Sequence, residues 1–296
     1  MSPPVVKLPY QFNGITLSQV AEEVARHAAN GWPEEVCFDF SGLSFVRPAG
    51  VTFLSNLIQW LHEKNTRVTL VNIGGRTAAL NFLDDALFFE QHRGKKLREE
   101  AAPRATTRPL MRIAHERSHS WLQTDLLPWL AARLDISEAS LYKFKNCVAE
   151  LFNNIQDHTR HEIGTVFAQH FPQENRVYIS LSDFGLGIPA KVREKLPALQ
   201  DGPAILKAVE EGFTTKSTPS NQGIGLDYLL KAVVAGNGGT VTFYSLNSIM
   251  RFERVEGAIT PRALSNVGFC PGTTIDIVLR TDTIEQLPDE PEDLVW

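Results

Sequence analysis

The chain has 296 residues, with 29 Lys and Arg against 34 Asp and Glu and a formal net charge of −5. Its 43% hydrophobic and 21% charged content is that of a soluble globular protein. That excludes wholesale disorder and leaves room for two domains, each with its own core. The acidic balance argues against a dedicated nucleic-acid binder, and the lack of any run of about 18 apolar residues argues against a membrane span.

Residues 1–92 read as strands alternating with helices. Val36–Phe40 and Val68–Asn72 are short apolar, β-branched or aromatic runs bounded by turn residues, as buried strands are. Between them, residues 50–64 place Val51, Leu54, Leu57, Ile58 and Leu61 at helical spacing. Strand, helix and strand at this pitch predict a parallel βαβ unit. Gly74-Gly75 precedes a second helix over 76–82. Residues 93–109 are charged, Ala-rich and Pro-containing without an apolar period, and read as a linker. The basic stretch from Arg93 to Arg117 is then a solvated face rather than a nucleic-acid or membrane patch.

A second domain is expected over 110–284. It begins with a helix over 120–133; Asp135 or Ser137 can then cap a longer helix over 138–158. Strands are expected at 165–171 and 176–183, a helix from Ile224 to about 235, and strands at 240–246, 250–255 and 274–279. Residues 285–296 form an acidic, Pro-containing tail. Cys37, Cys147 and Cys270 are widely spaced with no CxxC pair, which fits reduced thiols in a cytoplasmic protein. No positive segment followed by an apolar core marks a secretory signal at the start.

Four short motifs carry chemistry. Glu150, Asn154 and His158 are spaced i, i+4, i+8 and share one helical face. As residues alone they fit a solvated polar stripe equally well. The functional reading has the Asn154 carboxamide oxygen on Mg²⁺, a hard ion that prefers oxygen, and Glu150 taking a proton from the group that attacks a γ-phosphate. Asp183 ends an apolar strand before Phe-Gly185-Leu-Gly187. A carboxylate there can accept from an adenine amino group, and the glycines let the backbone approach the base. Gly223-Ile-Gly225-Leu opens a helix whose free N–H groups would face phosphate oxygens. Lys216 would add positive charge near those phosphates. Gly272-Thr273-Thr274 starts a strand, and a threonine hydroxyl there would bridge Asp183 and the base.

In this order the motifs resemble the GHKL (histidine-kinase-like) ATPase family over about residues 115–282. The resemblance implies an α/β sandwich with a mixed, mostly antiparallel sheet and helices on one face. It also implies ATP and Mg²⁺ as cofactors, under a lid over roughly 188–222. Glutamate rather than asparagine at 150 looks most like the anti-sigma-factor serine kinases, which use it as base towards a serine hydroxyl. Phe38-Asp-Phe-Ser-Gly-Leu43, through Gly50 and the following helix, resemble the STAS domain of anti-sigma-factor antagonists. That domain's phosphoacceptor serine is missing: the loop reads Arg47-Pro48-Ala49-Gly50, leaving Ser44 and Thr52 as the nearest hydroxyls.

The resemblances together imply an α/β protein with a STAS-like βαβ unit before a GHKL sandwich. Such a protein passes the γ-phosphoryl of ATP to a partner's Ser or Thr, or to water. The alternative is an ATP-gated interaction switch with little or no catalysis. Partners would be STAS- or sigma-factor-related, or encoded in the same operon, and a homodimer is a further expectation. The STAS-like unit would dock a partner, or the ATP domain of its own or a sister chain.

Overall fold

The computed structural model describes residues 2–29, 31–158, 163–183, 185–213, 224–264 and 268–288, without the side chains of residues 15, 115, 154–158, 163 and 224. The N-terminal unit runs β1 (Val5–Lys7), β2 (Gln11–Phe12), α1 (Ile15–His27), β3 (Glu35–Asp39), β4 (Phe45–Val46), α2 (Pro48–Glu63), β5 (Arg67–Val71), α3 (Ala78–Asp85) and α4 (Phe88–Arg93). Strands β1, β3 and β5 form a parallel sheet, with β3 paired to both neighbours. The expected β3–α2–β5 crossover is therefore present.

Proline at its first position starts α2, where a missing N–H costs nothing. Every residue from Pro48 to Ile58 is buried. Burial all round requires a second layer against the helix as well as its own sheet.

That layer comes from the C-terminal unit. It runs β6 (Thr107–Ala114), α5 (His115–Trp121), a π-helical turn at Leu122–Leu126, α6 (Leu127–Leu134), α7 (Tyr142–His158), β7 (Ile163–Phe171) and β8 (Arg176–Asp183). It continues through α8 (Ile188–Arg193), α9 (Asp201–Ala208), α10 (Ile224–Leu229) with a π-helical extension to Gly236, β9 (Thr240–Leu246), β10 (Ser248–Val255), β11 (Ala258–Ala263) and β12 (Cys270–Arg280). The seven strands lie in the order β11-β10-β9-β12-β8-β7-β6. The resemblance implied a mixed sheet; each described pairing in this one is antiparallel.

Alternation along the strands divides the sheet into two faces. Val166, Leu181, Phe243 and Ile275 pack with Leu130, Val148 and Leu151 from the helical layer. Their neighbours Phe167 and Tyr244 turn the other way and join the N-terminal core. Helix α2 lies across β7, β8 and β12 on that second face. The expected helices on one face are thus matched by a layer on the other, and α2 sits between a parallel and an antiparallel sheet.

The segment read as a solvated linker is tied down. Asp84 is fully buried and accepts from the backbone N–H groups of Leu97 and Arg98 at 2.8 and 2.9 Å. Arg98 and Arg104 pair with Asp85, and Arg108 with Asp125 at 3.1 Å. Three arginines of the basic stretch are thus neutralised within the chain. Strand β6 begins inside that segment, at Thr107. Pro109 hid it from a pattern reading. The pairing register with β7 shifts between Arg108 and Met111, and β6 is an edge strand, where proline is tolerated.

Candidate functional site

Helix α7 supplies the first cluster. Ser137 caps the 3₁₀ turn that precedes it, accepting from the Ser140 N–H at 3.2 Å. Cys147, Val148, Leu151 and Phe152 bury one face of α7, which leaves Glu150 half-buried at the side. Gly225, in the first turn of α10, lies against it: a Cβ at position 225 would fall 2.3 Å from Glu150 Cγ. Glycine is required there by close approach of the two helices.

A relay orients the carboxylate. Asn153 Nδ2 donates to Glu150 Oε2 at 3.2 Å, and Asn153 Oδ1 lies 3.2 Å from His119 Nε2 on α5. Neither Asn153 nor His119 stood out in the sequence, because their meeting depends on how α5 packs on α7. The helix carries Asn154 and His158 one and two turns beyond Glu150, but their side chains lie outside the described residues. Lys216 and Gly223 lie outside them entirely. Among the described residues no group of three or more His, Cys, Asp or Glu could hold a metal ion.

The second cluster closes the end of β8. Asp183 is 8% exposed. Its Oδ1 accepts from the Gly185 N–H at 2.6 Å. Burial pushes its carboxyl up to about 7, opposed by backbone donors from Gly185 and Thr273. No cation lowers it, so an acceptor is held in a dry place at the edge of ionisation. Gly187 has φ +85°, and a Cβ there would sit 2.8 Å from Ser245 Oγ and 2.9 Å from the Gly272 carbonyl oxygen. The N–H of Ile188, which starts α8, donates to Ser245 Oγ and Thr273 Oγ1, each at 3.2 Å.

One assignment needs correction. Thr274 was read as a nucleotide ligand, but it pairs across the sheet with Ser182, and the two hydroxyls lie 2.5 Å apart on the α2 side. Thr273 is the residue opposite Asp183 and shares its face. Period-two alternation makes the two threonines mutually exclusive, and Thr273 is the one beside the carboxylate. Glu150 and Asp183 both lie on the helix-covered face of the sheet, each in its own cluster. A separate cavity of about 360 Å³, lined by Leu141, Phe144, Tyr228 and Val233 among others, opens at the other end of α7. It takes in neither cluster.

The seam between the two units is polar at its centre. Thr52 Oγ1 on α2 meets Ser180 Oγ on β8 at 2.7 Å, and Thr165 on β7 donates to Asn56 Oδ1 at 2.7 Å. Arg47 donates to both carboxylate oxygens of Glu174, at 3.1 and 3.2 Å. Its guanidinium also stacks over Phe45, Phe171 and Tyr178. The loop at 47–50 is therefore inside the protein. Thr52 is fully buried, and a Cβ on Gly50 would already meet the Phe12 carbonyl oxygen at 2.5 Å. Phe82 packs edge-on against Phe167, and Trp60 against Phe269, at the margins.

Among the described residues no helix is long and apolar enough to cross a membrane. No curated protein matches the chain. A family model does match the N-terminal unit: a STAS domain is found at residues 2–94.

Proposed function

We propose that the C-terminal unit binds ATP with Mg²⁺ and transfers the γ-phosphoryl group to a partner's Ser or Thr, or to water. The observation that carries this reading is Asp183. It is a carboxyl buried at a strand end, held by two backbone donors and lacking a cation. Adenine offers it the amino donor it needs. Thr273 stands beside it, and Gly187 admits the chain at a conformation that side chains resist. Glu150 is the candidate base, oriented by Asn153 and shielded by Gly225. Mg²⁺ would sit on the Asn154 oxygen and neutralise phosphate charge; Gly223, Gly225 and Lys216 would serve the phosphates, and His158 the same helical face.

The STAS domain suits a signalling role for this activity. Its positions 47–50, Arg-Pro-Ala-Gly, carry no hydroxyl, so that stretch is not the acceptor of the phosphoryl group. Titration calorimetry with ATP–Mg²⁺, followed by incubation with labelled ATP, tests the reading. Binding that is lost in Asp183→Ala and turnover that is lost in Glu150→Gln support it. Absence of binding to the full chain refutes it. Binding without turnover would favour the ATP-gated switch.

A further inference from the structure

Two surfaces of a kind that proteins ordinarily turn to water face each other across the α2 seam. On α2, Thr52, Ser55, Asn56 and Gln59 fall at i, i+3, i+4 and i+7, a single stripe. On the sheet, Thr165, Ser180, Ser182, Thr242, Thr274 and Asp276 share one face. Antiparallel sheets with helices on one side commonly leave the other side polar and solvated. Here that side, polar at its centre and apolar at Phe167 and Tyr244, is covered over its polar part by a polar stripe.

The match is incomplete. Asn56 Nδ2, Gln59 Nε2 and Asp276 Oδ1 are shut off from water with no hydrogen-bond partner. Each such atom loses the water it would have in an open state. Asp276 retains some exposed surface, but this shielded oxygen governs its carboxyl, and burial pushes it up to about 7. Its surroundings are Ser180 on β8, Thr242 and Tyr244 on β9, Arg251 on β10 and Arg47 at the start of α2. Both arginines favour its charged form without offsetting the burial. A permanent core would fill these positions with apolar side chains.

We propose that the α2 seam is a releasable, self-occupied docking surface: the chain's own sheet holds the α2 stripe and Arg47 in the place of a protein partner, and the charge of Asp276 loosens that hold. The partner would present what the sheet presents, a carboxylate for Arg47 and hydroxyls for Thr52 and Asn56. Opening lets water reach all three orphaned atoms. Partner binding by the STAS domain and internal docking are then mutually exclusive, which makes the seam an autoinhibitory contact. The inference does not depend on the nucleotide reading.

Thiol labelling of the full chain tests it. In a Cys270→Ser background, because Cys270 lies in the core cluster shared with the seam, Thr52→Cys and, separately, Ser180→Cys place a thiol on either side of the seam, while the native Cys147 lies in the C-terminal unit's own interior. The expected result is that both introduced thiols react at a common rate at least tenfold above Cys147. After correction for thiolate fraction, that rate rises several-fold, up to about tenfold, from pH 6 to pH 8. In Asp276→Asn the opening persists and its pH dependence disappears. Labelling no faster than Cys147 means the seam opens only on global unfolding and overturns the proposal. Opening that is pH-independent in the wild type overturns the role of Asp276.

Discussion

A methyl group on Gly225 would lie 2.3 Å from Glu150 Cγ, so the start of α10 and the middle of α7 are in contact through a missing side chain. Gly225→Ala must push Glu150 off Asn153 or move α10. The expected outcome is at least a tenfold loss of phosphoryl transfer with nucleotide still bound, since a misplaced base costs rate before affinity. Glu150→Gln should lose roughly 10²- to 10⁴-fold in turnover, the usual contribution of a general base. Single-turnover kinetics with labelled ATP read both; unchanged rates would remove Glu150 from the reaction.

Asp183 gives a pH signature. Burial raises its carboxyl from 3.8 to about 7. The stability it contributes is therefore present below about pH 3.8 and lost as pH rises through 7. Adenine needs the charged acceptor, so ATP affinity should increase about tenfold from pH 6 to pH 8. Asp183→Asn should bind weakly with a flat profile. Calorimetric Kd values across that range decide the matter.

Asp84 predicts a stability defect away from any chemistry. It is fully buried and holds the Leu97 and Arg98 N–H groups, with the Arg98 guanidinium 3.3 Å away. Asp84→Ala leaves two buried backbone donors without their acceptor, while Arg98 keeps Asp85. A loss of about 3–5 kcal/mol is expected, from urea unfolding of the mutant and wild-type chains. A loss below about 1 kcal/mol would mean that water replaces the carboxylate.

Gly187→Ala combines strain with collision. The position has φ +85°, and the new Cβ would meet Ser245 Oγ and the Gly272 carbonyl oxygen inside 3 Å. A cost of about 1–3 kcal/mol is expected, together with weakened nucleotide binding, because Ile188 and the start of α8 hang on Ser245 and Thr273. Thermal unfolding with and without ATP separates the two effects.

Much of the fold was legible where burial imposes a single period. Phe38 and Leu70 lie on paired strands, buried in β3 and half-buried in β5, and the α2 apolar positions announced a helix. Asp183 was legible because an acidic residue ending an apolar strand before two glycines breaks the pattern around it. The choice between Thr273 and Thr274 was not: adjacent residues of a strand face opposite sides, and the register shift between Cys270 and Thr273 conceals which is which. Asn153 and His119 stayed hidden because their pairing needs the crossing of two helices. The contact made by the polar stripe on α2, with Thr52, Asn56 and Gln59, was not legible, because a single chain pattern cannot reveal that another polar surface lies upon it.

Helix α2 also bears on how the protein is made. Ribosomes deliver the STAS domain first, and β7, β8 and β12 follow only after most of the remaining chain has emerged. Throughout that delay the outer side of α2 offers water hydroxyls and amides beside the apolar surface that Phe167 and Tyr244 later cover. The outer side of the newborn domain is therefore completed only when the last strand of its own cover has been translated.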